Sequence, residues 1–402
     1  MIDHTTARAL TAGRGSRNEA TRRHNLSTLL ALVHHRRGMT RAELTRATGL
    51  NRSTIGLLVA DLVAAGLVTE EAAVTGVVGR PSPMVVPNPQ VVALAINPDV
   101  DAVILGVVGL GGVVHARERI ELDRVPTVEE FVDVVRANAT RLMAKGPYLV
   151  TGAGVAVPGL VRVRAGAVAR APHLGWRDED VAGPLASALG IDVYVDNDAK
   201  AGLVAETLFG AGRGRSTLVY LNGSASGIGG GVLADGVVLR GAEGFAGELG
   251  HTLVRVGGRA CPCGRTGCLE SEVNIQLLEQ IAGPGVIDHE DIAGSLTAHP
   301  SPELAAEIDR QVDTLAHAIA SFASVFNPEL VVLGGFLAAL HAVREERLDQ
   351  ALASLAFSPL GDSLAVVRAE LGDELLVVGA GELAFAALIA DPLAEDEDDD
   401  EE

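Results

Sequence analysis

The sequence predicts an α/β fold with a small helical module in front of it, and three observations lead there. Past residue 90, Val/Ile/Leu runs alternate with amphipathic helical runs, the pattern of a sheet covered by helices on both faces. The 402 residues are 48% hydrophobic but only 3% aromatic, so Ala, Val and Leu must build the core, over a length that calls for more than one domain. The charge is also divided. Residues 1–90 hold eleven basic and six acidic side chains, against 21 and 46 in the remainder, within a net charge of −20. The total argues against nucleic acid as a partner, but a basic head on an acidic body is the asymmetry of an appended DNA-binding module.

Residues 1–21, which include Arg17, read as a flexible basic N-terminus. Over 24–36, Leu26, Leu29, Leu30 and Val33 recur at helical spacing. Thr40 with Glu43 three residues on is a capping box, which predicts a short helix over about 41–47. Gly49 makes a tight turn, and Asn51 or Ser53 caps a third helix that ends near Ala65, before Gly66. Two short helices joined by a glycine turn are a helix-turn-helix signature. In that motif the second helix enters the major groove by its N-terminal end, here Asn51, Arg52, Ser53 and Thr54. Ile55, Leu58, Val59 and Leu62 would face inward. Asn and Arg can grip base edges with two hydrogen bonds, and Ser and Thr serve bases or phosphates. Two strands then make a wing with an extended Gly79-Arg80-Pro81 tip, from which Arg80 can enter a minor groove. Arg22, Arg23 and Thr40 complete the candidate DNA contacts. A protein-interaction module with solvated arginines is the competing reading. The basic bias, capping box, turn and wing together favour DNA. The winged helix-turn-helix is placed at 22–82, followed by a linker over 83–90 stiffened by Pro83, Pro87 and Pro89.

The body, 91–390, opens with three strand-like runs, VVALAI, AVILGVVGL and VVHARERIEL. A helix capped by Thr127 follows, then the buried strand VTGAGVAVPGLV. IDVYVDNDAKAGLVAETLFG is a strand running into a helix. STLVYLNGSASGIGGGVLADGVVL reads as strand, glycine-rich turn and strand. PELVVLGG and LLVVGAGELAFAALIA both read as strand, glycine turn and helix. Residues 391–402 carry nine carboxylates and read as an acidic disordered tail.

His251, Cys261, Cys263 and Cys268 offer one nitrogen and three sulfurs, a complete tetrahedral set for one structural Zn²⁺. Three cysteines within eight residues suit a metal better than a disulfide framework. Asn197, Asp198, Glu248, His251 and Glu270 supply the carboxylates, amide and imidazole that pair with adjacent sugar hydroxyls. Taken singly, Asp198 can be a helix cap and Glu248 a solvated loop carboxylate.

The segments APHLGW (171–176), VDNDAKAGLVAE (195–206), SGIGGG (226–231), GFAGELGH (244–251) and CPCGRTGCLE (261–270) resemble those of the ROK family of repressors and sugar kinases. The resemblance spans about residues 22–390. It implies a two-lobed, actin-like ATPase body with a zinc loop of this His and Cys spacing. It also implies that Asp198 occupies the place of the family's kinase base, that Glu248 and His251 form its Glu-x-x-His pair, and that Glu270 is the acid after the last zinc cysteine. His173 stands where family members often carry Asn, which leaves the sugar's identity open.

A family kinase opens its body with an Asp-x-Gly-Gly-Thr phosphate loop. Here Asn97-Pro98-Asp99-Val100-Asp101 takes that place. Proline removes a donor, and two carboxylates repel a triphosphate. The expectation is therefore a sugar sensor without kinase activity, Asp198 being a vestigial base. It would act as a homodimer or higher oligomer on double-stranded operator DNA, most simply as a repressor relieved by a sugar or sugar derivative. An ATP-dependent sugar kinase with an accessory head is the alternative. The sequence has no bilayer-length apolar run and no apolar signal core, so a cytoplasmic protein without a membrane partner is expected.

Overall fold

The computed structural model describes residues 14–71, 82–355 and 364–394. The head comprises α1 (Arg14–Arg36), β1 (Met39–Thr40), α2 (Arg41–Thr48), α3 (Arg52–Ala64), β2 (Val68–Glu71) and β3 (Met84–Pro87). The three strands form one sheet in the order β1-β3-β2. The expected capping box is present. The Thr40 side chain accepts from Glu43 N–H, and the Glu43 carboxylate accepts from Thr40 N–H at 2.8 Å. Gly49 closes α2 at φ 70°, a left-handed value that glycine adopts without steric cost. Asn51, not Ser53, caps α3, accepting Thr54 N–H at 2.9 Å.

The head differs from expectation in two places. α1 starts at Arg14, so residues 14–21 continue the helix. The apolar period begins only at Leu26, and the polar turns before it leave no periodic trace. Residues 83–90 are not a linker. Met84–Pro87 is the central strand of the wing sheet, paired with both β1 and β2, with Pro83 just before it and Pro87 itself opposite Val68. Asn88 closes the joint, its amide donating to Gly66 O at 2.6 Å. The wing tip with Arg80 lies outside the described residues.

The first lobe of the body contains β4 (Val91–Pro98), β5 (Ala102–Gly109), β6 (Val113–Glu121), α4 (Val128–Met143) and β7 (Leu149–Val157). It continues with β8 (Leu160–Arg162), β9 (Ala167–Ala171), β10 (Trp176–Asp180), α5 (Ala182–Leu189), β11 (Val193–Asn197) and α6 (Asp198–Phe209). Its main sheet has the order β11-β7-β4-β5-β6. The second lobe contains β12 (Leu218–Ser224), β13 (Gly227–Ala234), β14 (Val237–Val238), α7 (Leu269–Glu272), α8 (Ile275–Ala282), α9 (Ile292–Ala298) and α10 (Pro302–Phe326). β15 (Leu330–Gly334), α11 (Gly335–Leu355) and β16 (Ala365–Arg368) complete it, and α12 (Leu375–Ala390) returns to pack on β4 and β7 of the first lobe. Its sheet has the order β14-β13-β12-β15-β16. Among the described residues no helix is long and apolar enough to cross a membrane.

Two glycine-rich segments, each expected to contain a turn, are regular elements instead. Gly227–Gly231 lies within β13. A Cβ at Gly229 would stand 2.8 Å from Ala199, and one at Gly231 2.9 Å from Leu203, so the missing side chains let α6 lie on the strand. LLVVGAG is the first part of α12, not a strand and turn. A Cβ at Gly379 would meet Ala201 O at 2.4 Å, so α12 and α6 cross backbone against backbone. All three glycines cost helix or strand propensity, and the close approach offsets that cost.

Head and body share one apolar cluster. Leu26, Leu29, Leu30 and Val33 of α1 join Leu110, Val377 and Phe385 of the body. At its centre His34 is fully buried. Its Nδ1 accepts Gly111 N–H at 2.7 Å, which places the ring proton on Nε2, 2.9 Å from a Glu382 carboxylate oxygen on α12. Arg37 donates to Gly111 O at 3.0 Å and lies 5.1 Å from the centre of the Phe209 ring. The adjacent His35 lies exposed on α1. His34→Ala strands the buried Glu382 carboxylate and should destabilise the full chain by about 3–5 kcal/mol in denaturant titrations. In a Glu382→Leu background the same change should cost much less.

Candidate sugar pocket and metal cluster

β11 delivers Asn197 and Asp198 to the mouth of a cavity of about 490 Å³ between the lobes. Asn197 caps α6, its side-chain oxygen accepting Lys200 N–H at 3.0 Å and its amide donating to Gly159 O and to Asp198 Oδ1, each at 3.0 Å. Asn197 is thus occupied in aiming its neighbour. Asp198 Oδ1 also accepts Ala199 N–H at 2.8 Å, which leaves Oδ2 for the cavity. Across the cavity stand Glu248, His251 and Glu270. The Glu248 carbonyl accepts His251 N–H at 3.1 Å, and its carboxylate has no hydrogen-bond partner among the described residues. All five candidate sugar contacts therefore line one space, together with His173.

The carboxylates here are perturbed. Burial, with the charges of Glu248 and Asp99 adding to it, pushes Asp198 up to about 7. Burial also raises Glu248, against the opposing charge of Lys200. Lys200 is itself buried and lowered by desolvation, and it donates to Gly244 O, so it ties α6 to the loop that carries Glu248. Clustered perturbed groups in a cleft mark a binding or reaction site.

His251, Cys261, Cys263 and Cys268 form a second constellation, with ligand atoms all within 4.8 Å of one another. Cys261 Sγ lies 3.7 Å from His251 Nδ1, and Cys263 Sγ 3.7 Å from Cys268 Sγ. Burial raises the Cys263 thiol, but hydrogen bonds from Arg265, Cys261 and Cys268 outweigh it and hold it at about 6. The cluster can hold a metal, and His251 belongs to both sites.

The body's opening loop is a closed hairpin. Asn97 is buried and donates to Ala156 O at 2.7 Å, and Pro98 pairs opposite Val103. Arg119 lies 2.6 Å from Asp101 and 3.7 Å from Asp99.

The candidate DNA contacts fall differently. The Asn51 side-chain oxygen accepts both Thr54 N–H and the Ser53 hydroxyl, the latter at 2.6 Å. Thr40 is taken up by its capping box. Arg22 pairs with Asp61 at 2.9 Å and Arg23 with Asp391 at 3.2 Å. Such exposed pairs are weak and exchange readily for phosphate. Arg52 is exposed and has no partner among the described residues. Sequence reasoning missed two pocket cations, Arg170 and Arg265. Both adjoin motifs that it did find, APHLGW and the cysteine loop. It also missed Phe209, whose ring meets His34 edge-on at 5.4 Å. Nothing in the sequence marks that contact.

A helix-turn-helix head on a two-lobed body with a carboxylate-lined cleft defines a kinase-like sensor class. The chain belongs to the ROK family, whose model matches residues 94–387. It is 25% identical over 383 residues to the xylose repressor of Caldicellulosiruptor bescii, covering 88% of this chain and 93% of the repressor. It is 33% identical over 247 residues to a glucokinase of Halalkalibacterium halodurans, covering 57% of this chain and 74% of the kinase. The crystal structure of a ROK family transcriptional regulator, a homologue of the E. coli MLC protein, superimposes with a TM-score of 0.74 at 24% identity, over 92% of this chain and 97% of that one.

A buried Asp whose folded-state value is raised binds its proton in the native state up to about pH 7. The unfolded chain releases that proton near pH 4, so stability falls as pH rises between the two values. Asp198→Asn should therefore raise the melting temperature by a few degrees at pH 8 and change it little at pH 4, as read by differential scanning fluorimetry.

Proposed function

We propose that this protein is a sugar-responsive DNA-binding repressor of carbohydrate uptake or metabolism genes, released from its operator when a sugar enters the cleft. The observation that carries this reading is the course of α6. Its first residue, Asp198, stands in the cleft, and its last, Phe209, stands beneath the head against His34 and Arg37. Rearrangement of the cleft around a ligand moves the rod, and the rod's far end is the seat of α1. Two such chains would set the spacing of two heads on a pseudo-palindromic site. The similarity to a xylose repressor covers 88% of this chain and so reaches into the head, whereas the similarity to a glucokinase covers 57%, and this supports the regulator over the kinase.

In the cleft, Asp198, Glu248 and Glu270 accept hydrogen bonds from sugar hydroxyls. Asn197 fixes the aim of Asp198, and Lys200 fixes the loop of Glu248. In a kinase Asp198 would take a proton from the attacking hydroxyl. Here Asp99 places a second negative charge where triphosphate would approach, and Pro98 removes a backbone donor, so the site holds a sugar without turning it over. The cysteine cluster suits one structural Zn²⁺. Zinc–sulfur bonds of about 2.3 Å imply sulfur–sulfur edges of about 3.8 Å, close to the 3.7 Å found. Four protein ligands leave no open position, so the ion would brace the loop and hold His251 by Nδ1, with Nε2 left for the cleft. In the head, Arg52 would read base edges, Arg22 and Arg23 would meet the backbone, and Arg80 would enter a minor groove.

A thermal-shift panel that includes D-xylose and D-glucose should find a sugar that stabilises the chain, and that sugar should weaken duplex binding at least fivefold. Phe209→Leu keeps most of the volume but loses the ring. It should preserve the thermal shift and lose most of the release. Steady ADP production with ATP and any panel sugar would replace this reading with the kinase. Metal analysis should return one zinc per chain, and chelation should lower the melting temperature and weaken sugar binding together.

A further inference from the structure

We propose that the middle of α3 reads thymine methyl groups, with Leu57 as the reading side chain. The inference rests on the DNA-binding role of the head and concerns how that role is made sequence-specific.

At 100° per residue, Ser53, Gly56, Leu57 and Ala60 fall on one face of α3. Ile55, Leu58, Val59 and Leu62 fall on the opposite face and are buried in the head. A helix-turn-helix turns the first of these faces into the major groove. Leu57 is 70% exposed there, and Ala60 is exposed beside it. A lone exposed leucine is ordinary on a protein surface. This one is set apart by what surrounds it. From Ile55 to Ala60 the sequence IGLLVA contains no side chain that donates or accepts a hydrogen bond.

The polar groups at the edges of the face are already engaged. The Ser53 hydroxyl donates to Asn51 Oδ1 at 2.6 Å, and that oxygen also caps the helix. Arg41, the cation nearest Gly56, is held by Glu70 through two bonds, at 2.5 and 2.6 Å. Past the first turn of α3 the one polar side chain is Asp61, at the edge of the face and paired with Arg22 at 2.9 Å, so the middle of the face meets a base edge by apolar contact. The major groove displays one apolar feature, the C5-methyl group of thymine. Gly56 and Ala60 add almost no bulk, so the helix can approach the bases closely while Leu57 reaches between them. Arg52, on the flank of the same face and without a partner among the described residues, is the group left to read a guanine. The surface thus favours sites in which thymines follow the position met by the helix start.

The test uses the full chain and a duplex selected with it from a random-sequence pool. Each thymidine of one half-site is replaced in turn by 2′-deoxyuridine, which removes the methyl group alone. At one or two positions the wild type should lose roughly fourfold in affinity, the value of one buried methyl. Leu57→Ala, at an exposed site, should leave the melting temperature unchanged. It should bind the thymidine duplex more weakly than the wild type and show no further loss with uridine at those positions, a coupling that a double-mutant cycle isolates. Uridine tolerated at every position, or uridine penalties that persist in Leu57→Ala, would overturn the inference while the DNA-binding role stands. Failure to enrich or bind any duplex at low salt would overturn that role, and the inference with it.

Discussion

The structure depends on the burial of one imidazole. His34 sits where the head, the first sheet and α12 meet, and each supplies it with a partner: its own helix α1, the Gly111 amide, and the Glu382 carboxylate. A buried polar ring with both nitrogens engaged fixes orientation as well as position, because any tilt leaves a donor or acceptor unpaired in an apolar surround. The apolar cluster around it supplies most of the adhesion. The hydrogen bonds decide the one pose in which the head can adhere. Glu382 keeps its other oxygen without a partner among the described residues, which makes this pose more sensitive to small shifts of α12 than a fully satisfied joint would be.

Mechanical continuity between cleft and head follows from missing side chains. Gly379 lets α12 touch the backbone of α6, and Gly229 and Gly231 let α6 lie against β13. Backbone contacts of this kind have no rotamers in which to absorb a displacement, so the elements move as blocks. At the cleft end the block starts with a carboxylate held close to its ionisation point by burial. Under the proposed function, a sugar hydroxyl would replace the water lost to that carboxylate, and this would tie ligand energy to the position of α6.

Much of this was legible in the sequence. The capping box at Thr40, the turn at Gly49, the Asn197-Asp198 junction and the His251 and cysteine set all depend on local spacing, and the structure has them where the spacing puts them. Most of the errors share one physical cause. Gly227–Gly231, Gly379 and the prolines of 83–87 were read by their local conformational habits, as turns and breaks. Their actual roles are set by what packs against them across the fold, and local propensity carries no trace of that. Phe209 and His34 stayed hidden for the same reason, since their meaning lies in a contact 175 positions apart. The start of α1 was missed because its first turns are polar on every side.

Hydrogen–deuterium exchange of the full chain, with and without a stabilising sugar, tests the central claim most directly. If α6 is the rod, protection should change in the peptide that covers Leu203–Phe209 and, with it, in the peptide that covers Leu29–Arg37 of α1. A change confined to the cleft loops around Asp198, Glu248 and Glu270, with α1 exchanging identically in both states, would contradict it.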